Sequence, residues 1–346
     1  MNFLGYELKG SVIAASCPAT ENLENIISCV DNGASAVILK SASSTRMNDG
    51  KTRICHIDTT GFWAESGFDR EILPIEKAVE LTSAAANSVS IPIISSVIEL
   101  TLEVAPWITS CNKLEKAGAD ALQLDFFYLP NLLSDKDFSN KFIRLLKEVQ
   151  TLCQIPIMPK LNIGLPAEFA VNLLKEANIK YVSLLDSIRS PAPNGAYLSG
   201  ESLSVFNSFQ LPITRQYTKI LSDAGLSVCA GGGVTNAEQA ADLLFLGAKT
   251  VQIATEILLN GFSRIGEIDR DIPAYLRSFK PQIDIQQREA VFNADKCTGC
   301  GKCTTQTFCP VAKNRLESNY YCEGCGLCAY LCESGAIQVT VTNCPK

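Results

Sequence analysis

The chain of 346 residues has a single histidine, which argues against His-rich zinc sites and His-centred catalytic triads. No apolar run reaches the ~18 residues a membrane-spanning helix needs. Positive charge is not in excess: 30 Lys and Arg face 36 Asp and Glu, a net charge of −6. A sequence-independent nucleic-acid binder is therefore not expected. A G-x-G-x-x-G turn in an early βαβ unit, the mark of a nicotinamide dinucleotide site, is missing. A secretory leader is not expected either: no basic segment opens the sequence, Glu7 and Lys9 interrupt it, and Ala14-Ala15-Ser16-Cys17 only loosely resembles a lipoprotein cleavage site. The expectation is a cytoplasmic protein off the membrane, with reduced thiols. Hydrophobic residues make up 47% and exclude a disordered chain.

Cysteine is abundant. Of fifteen, nine fall in the last 50 residues, while Cys17, Cys29, Cys55, Cys111, Cys153 and Cys229 are scattered. Scattered cysteines are ordinary buried thiols; the clustered ones need a separate account.

Residues 1–280 alternate short β-rich runs with amphipathic segments. Eight runs recur, at 12–16, 36–40, 91–96, 121–127, 155–161, 181–186, 227–230 and 250–254. Most are rich in Val, Ile or Leu, as buried parallel strands are. Helical patterns lie between them, opened by Thr20 or Thr235 as caps and closed by Gly33, Gly118, Gly225 or Gly247. This reads as an α/β protein with a (β/α)8 TIM barrel. A doubly wound sheet would want a Gly-rich turn after the first strand, where Ser16-Cys17-Pro18-Ala19 stands. Long connections at 41–70, 128–136 and 187–202 would then lie on the C-terminal face, where barrel chemistry is built. Residues 281–292 read as a connector and 293–346 as a small α+β domain.

That small domain holds Cys297-x2-Cys300-x2-Cys303 with Cys309-Pro310, then Cys322-x2-Cys325-x2-Cys328 with Cys332. A [4Fe–4S] cube needs four thiolates, three from one tight loop, and in two-cluster proteins the fourth cysteine of each run serves the other cluster. One cluster would take Cys297, Cys300, Cys303 and Cys332, the other Cys322, Cys325, Cys328 and Cys309. Paired zinc knuckles are the rival, with a spacing that fits less well. The stretch resembles two-cluster bacterial ferredoxins, with five residues in place of three between Cys303 and Cys309, and Glu333 where proline is usual. Cys344 has no partner in the pattern.

One-electron clusters feeding two-electron chemistry call for a converter, and flavin is the obvious one. Ala230-Gly231-Gly232-Gly233-Val234-Thr235-Asn236 follows a strand and opens a helix, a turn suited to phosphate. Such turns also occur in barrels without a ligand.

At this point a resemblance becomes specific. Ala15-Ser16, Lys40-Ser41, Pro159-Lys160-Leu161, Leu198-Ser199-Gly200, Gly231–Val234 and Val251–Thr255 resemble the dihydroorotate dehydrogenase superfamily. The order of barrel and clusters is similar to the FMN barrel and two-[4Fe–4S] portion of dihydropyrimidine dehydrogenases. The resemblance implies FMN held by Ala15, Ser16, Lys40, Ser41, Lys160, Ser199, Gly200, Gly232, Gly233, Ala254 and Thr255. The alternative for the two lysines is pairing with a carboxylate.

The departures carry information too. The family's strand-4 motif N-L-S-C-P-N, with its acid/base cysteine, has become Asp125-Phe126-Phe127-Tyr128-Leu129-Pro130-Asn131. Asp125 and Asp186 stand where asparagines are expected, and another substrate loop has become Asp58–Glu65. This speaks against dihydroorotate or uracil. Tyr128 and His56 are candidates for the missing proton donor, with Cys55 behind them. Asp125 and Asp186, if both face the flavin, favour a cationic substrate such as an amine or amidine; the alternative is that they pair with Arg189, Lys160 or each other. Asn131, Trp63 and Glu65 are expected at the substrate, and Phe62, Phe126 and Phe127 read either as pocket or as core.

The expectation is an FMN- and iron–sulfur-dependent oxidoreductase acting on a C=C or C–N bond of a small organic substrate. It would exchange electrons with a ferredoxin or an NAD(P)H-dependent flavoprotein subunit and form a homo-oligomer. An electron-transfer or assembly subunit with a non-catalytic flavin barrel, and a flavin-free redox sensor, are the alternatives.

Overall fold

The computed structural model describes residues 1–45, 53–58, 61–65, 72–126, 132–185, 187–190, 203–206, 208–278, 288–307, 309–313 and 322–341. By internal packing the chain divides into Met1–Phe279 and Lys280–Lys346.

In the first unit, all eight expected runs form strands: β1 (Val12–Ala14), β2 (Val37–Ile38), β3 (Ile93–Val97), β4 (Ala121–Asp125), β5 (Ile157–Lys160), β6 (Tyr181–Ser183), β7 (Ser227–Gly231) and β8 (Thr250–Ile253). Each pairs in parallel with the next, and β8 pairs with β1, so the sheet closes. The helices between and after them are α1 (Leu23–Asp31), α2 (Ile75–Ser88), α3 (Val104–Lys116), α4 (Phe138–Leu152), α5 (Ala167–Glu176), α6 (Leu211–Asp223), α7 (Ala237–Phe245) and α8 (Ser263–Ser278). The caps differ from expectation by one or two residues. Asn22 and Asn236, not Thr20 and Thr235, accept the free N–H groups of α1 and α7, from Asn25 and Gln239. Thr20 instead closes the turn after β1, accepting from the Cys17 N–H. The expected glycines do end helices, all at positive φ.

Strand alternation sorts the barrel interior into layers. The lower layer is apolar: Ile13, Ile38, Ile94, Ala121, Met158 and Cys229 form one cluster with Phe3, Leu4 and Leu8. Those last three belong to a hairpin, Asn2–Phe3 with Tyr6–Glu7, that plugs the barrel. Its turn places both Leu4 and Gly5 at positive φ. That strain, ~1–2 kcal/mol at Leu4, is offset by burial of its side chain, ~1.5–3 kcal/mol. The next inward positions toward the strands' C-terminal ends are polar: Lys40, Ser96, Gln123, Asp125, Lys160, Ser183 and Gln252, all described as buried or nearly so.

The connections after β2 and β6 also build structure of their own. Arg53–Asp58, Gly61–Glu65, Leu203–Phe206 and Ile188–Ser190 form a four-stranded antiparallel sheet joining the two connections.

In the second unit, Arg288–Phe292, expected within a connector, pairs antiparallel with Ile337–Val341. Between these strands the chain repeats one device. Gly299 and Gly301 in the first cysteine loop, and Gly324 and Gly326 in the second, all take positive φ. Each loop then enters a single helical turn, Lys302–Thr305 or Leu327–Tyr330. At Gly324 a Cβ would lie 2.4 Å from that of Arg288, so only glycine fits.

Candidate functional site

The polar layer is a connected network. Asp125 and Lys160 are direct partners in the β4–β5 register, and the ammonium lies 3.6 Å from the carboxylate. Ser41 Oγ donates to Asp125 at 2.9 Å and lies 3.1 Å from Ser16 Oγ and 2.9 Å from Ser96 Oγ. Gln123 donates to Ser96 at 2.9 Å, and Gln252 donates to Ser183 and to the Leu184 carbonyl at 2.7 and 2.6 Å. The carbonyl oxygens of Gln123 and Gln252 are buried and have no partner among the described residues. Lys40 is 8% exposed, and its ammonium makes no ion pair or hydrogen bond among the described residues. Buried acceptors and a cation without partners are costly. They fit a site built to receive a polar, partly anionic ligand. Burial pushes the neighbouring Cys17 thiol up to about 11, so it stays protonated at neutral pH.

The glycine turn after β7 lies beside this layer. Gly232 and Gly233 take positive φ, and a Cβ on Gly231 would meet Gln252 at 2.4 Å. Arg264 on α8 ties the next loop in, donating to the Thr235 carbonyl at 3.0 Å and pairing with Glu256 at 2.6 Å. Glu256 belongs to the short helix Thr255–Asn260, which Ala254 precedes. Backbone N–H groups after glycines, at the head of α7, suit a phosphate.

In the second unit, Cys297, Cys300, Cys303 and Cys332 line one cavity, closed on its apolar side by Phe292 and Ile337. Among the described residues no group of three or more His, Cys, Asp or Glu is placed to hold a single metal ion. A cube of iron and sulfide is wider than an ion, and its thiolates stand farther apart. Cys322 accepts from the Ala290 N–H at 3.3 Å. Burial, with Cys322 and Cys325 close by, pushes the Cys328 thiol up. Lys302 pairs with Glu333, linking the first loop to the residue after Cys332.

No protein-family model matches the chain. It is 23% identical over 350 residues to the NAD-dependent dihydropyrimidine dehydrogenase subunit PreA of Escherichia coli K12, covering 88% of this chain and 84% of that protein. It is 24% identical over 293 residues to the catalytic subunit of dihydroorotate dehydrogenase B (NAD(+)) from Thermoplasma acidophilum, covering 80% and 91%. The chain is thus similar, at low identity, to members of the dihydroorotate dehydrogenase superfamily. Both relatives are named as dehydrogenases.

Against this family pattern, the structure brings together Ala15, Ser16, Lys40, Ser41, Asp125 and Lys160 at the C-terminal ends of β1, β2, β4 and β5. Of the two carboxylates expected at the substrate, Asp125 is engaged by Lys160 and Ser41. Phe126 is core: it is 3% exposed and packs on Trp107 and Phe142, centroids 5.0 and 4.8 Å away. In the strand register of the accessory sheet, His56 lies opposite Trp63 and Glu65 opposite Arg53. Tyr128, Asn131, Asp186, Ser199 and Gly200 lie outside the described residues.

Sequence reasoning missed Glu99, just past β3. It is 3% exposed and accepts from Ser43, Ser44, Thr45 and Ser110 side chains and the Ser44 N–H, at 2.8–3.2 Å. It anchors the connection after β2. The hydroxyl run Ser43-Ser44-Thr45 was the available signal.

Proposed function

We propose that this protein is an FMN- and iron–sulfur-dependent oxidoreductase. It exchanges hydride with a small organic substrate at a C=C or C–N bond, other than dihydroorotate or uracil, and electrons with an external redox partner. One observation carries the reading: Cys332, from the second cysteine run, lines the cavity of Cys297, Cys300 and Cys303, as crossed ligation of two [4Fe–4S] clusters requires. The second cluster would be held by Cys322, Cys325, Cys328 and Cys309, giving this unit a ferredoxin-like role.

When bound, FMN supplies the exchange between two-electron and one-electron chemistry. The chain's residues bind and orient it. Lys40 supplies a cation that is unpaired among the described residues, and Gln123 and Gln252 supply acceptors. Gly232, Gly233, Ala254 and Thr255 receive the phosphate, with Ser199 and Gly200 completing the binding set. Trp63, Glu65 and Asn131 contact the substrate, and Tyr128 and His56 hold the proton that the lost cysteine would carry. Asp186 remains the carboxylate available to a cationic substrate. The partner is an NAD-dependent flavoprotein subunit or a ferredoxin, a choice supported by the relative being named a subunit of an NAD-dependent enzyme. The setting is the cytoplasm, and the assembly a homo-oligomer. Among the described residues no helix is long and apolar enough to cross a membrane.

A second reading is an electron-transfer subunit with a non-catalytic barrel, favoured by the replaced cysteine. Anaerobic reduction of the flavin followed by organic acceptors separates the two. Reoxidation by a C=C or C=N compound supports the enzyme; reoxidation only by a protein partner supports the relay.

A further inference from the structure

Among the described residues the barrel's polar layer holds two lysines, Lys40 and Lys160, and they are not equivalent. Lys160 lies 3.6 Å from Asp125, with side chains only 11% and 6% exposed. Strand register sets this pair, since the two residues are opposite one another on β4 and β5. Ser41 donates to the same carboxylate at 2.9 Å. Lys40, on the far side of β3, faces no carboxylate among the described residues.

A buried carboxylate beside an ammonium keeps its charge, because each ion offsets the other's desolvation. Seen from a ligand above the layer, the Asp125–Lys160 pair is a dipole. Lys40 is a full charge, and its field reaches farther through a medium of low dielectric. Reduction of FMN by two electrons and one proton leaves an anionic ring, so cations beside it raise its potential and carboxylates lower it.

We propose that Asp125 is a positioning residue that lowers the reduction potential of the bound flavin by holding Lys160 and cancelling its charge, which leaves Lys40 as the cation that stabilises the reduced ring. This rests on the reading that the barrel binds FMN. A flavin held at low potential gives up its electrons readily, so the geometry favours reduction of the organic substrate over its oxidation.

The test is the midpoint potential of FMN in the anaerobically prepared full chain, with FMN content measured after denaturing release. Asp125→Asn raises the potential, by a factor of about ten in the relative affinity for reduced over oxidised flavin, or ~30 mV for a two-electron couple. Asp125→Asn combined with Lys160→Gln removes a neutral pair and returns the potential toward wild type. Lys40→Gln lowers it. An unchanged or lower potential in Asp125→Asn overturns the proposal. So does a double variant as high as the single one, which would mean that Asp125 does not act through Lys160. If Asp125→Asn does not fold, the account still requires Lys40→Gln to lower the potential more than the paired replacement does. A wild-type chain that releases no FMN overturns the flavin reading itself, and that failure is distinguishable because no potential can then be measured.

Discussion

At the scale of single residues, the site depends on which charges are compensated. Lys40 is buried without a partner among the described residues, so its replacement should weaken FMN binding more than it harms folding. Lys40→Met is expected to raise the FMN dissociation constant about 10- to 100-fold, the worth of a charge-assisted hydrogen bond, with the thermal midpoint unchanged or higher; fluorescence titration and a melting curve read both. Sequence alone marked both lysines and offered Lys160 as one of several partners for Asp125, without deciding among them. The Asp125–Lys160 pairing is decided by register between two parallel strands, which no local pattern encodes. The thiols give a second prediction at this scale. Burial pushes Cys17 to about 11 and Cys29 and Cys229 to about 12, so in the native chain they stay protonated at pH 8. Metal-stripped native protein treated with iodoacetamide should therefore be labelled at exposed Cys300 and Cys325. Cys17, Cys29 and Cys229 should stay unlabelled until the chain is denatured. Mass spectrometry of peptides reads the sites.

At the scale of elements, two anchors hold the site's loops. Glu99 gathers five donors from the root of the connection after β2 and from α3. Glu99→Ala should cost about 3 kcal/mol, since buried donors lose their acceptor, and Glu99→Gln less; urea midpoints check both. Arg264 joins the turn after β7 to the helix after β8. Arg264→Ala should weaken FMN binding several-fold by releasing both loops, measured by the same titration. The barrel strands were legible because each is a short buried run of β-branched or apolar residues closed by a turn. The accessory sheet was not, because its strands sit inside connections and gain their partners from a connection distant in sequence. Phe126 shows the limit of composition: an aromatic at a strand end reads as pocket or core, and packing on Trp107 makes it core.

At the scale of the whole molecule, the two units carry different features. The barrel holds a polar layer above an apolar plug, and the second unit holds two cysteine runs, each opening on a loop with two glycines at positive φ. The cysteine motifs were readable because three cysteines of each run are local; the proposed fourth ligand would come from the other run, a reading that the cavity lined by Cys297, Cys300, Cys303 and Cys332 supports. The account's central claim is that one chain carries FMN and two [4Fe–4S] clusters. The direct measurement is iron, acid-labile sulfide, zinc and FMN per chain in protein purified without oxygen, on wild type and Cys332→Ser. The account predicts about eight iron and eight sulfide with one FMN in the wild type, and about half the iron with FMN retained in Cys332→Ser. Zinc in place of iron, or a chain without FMN, would contradict it.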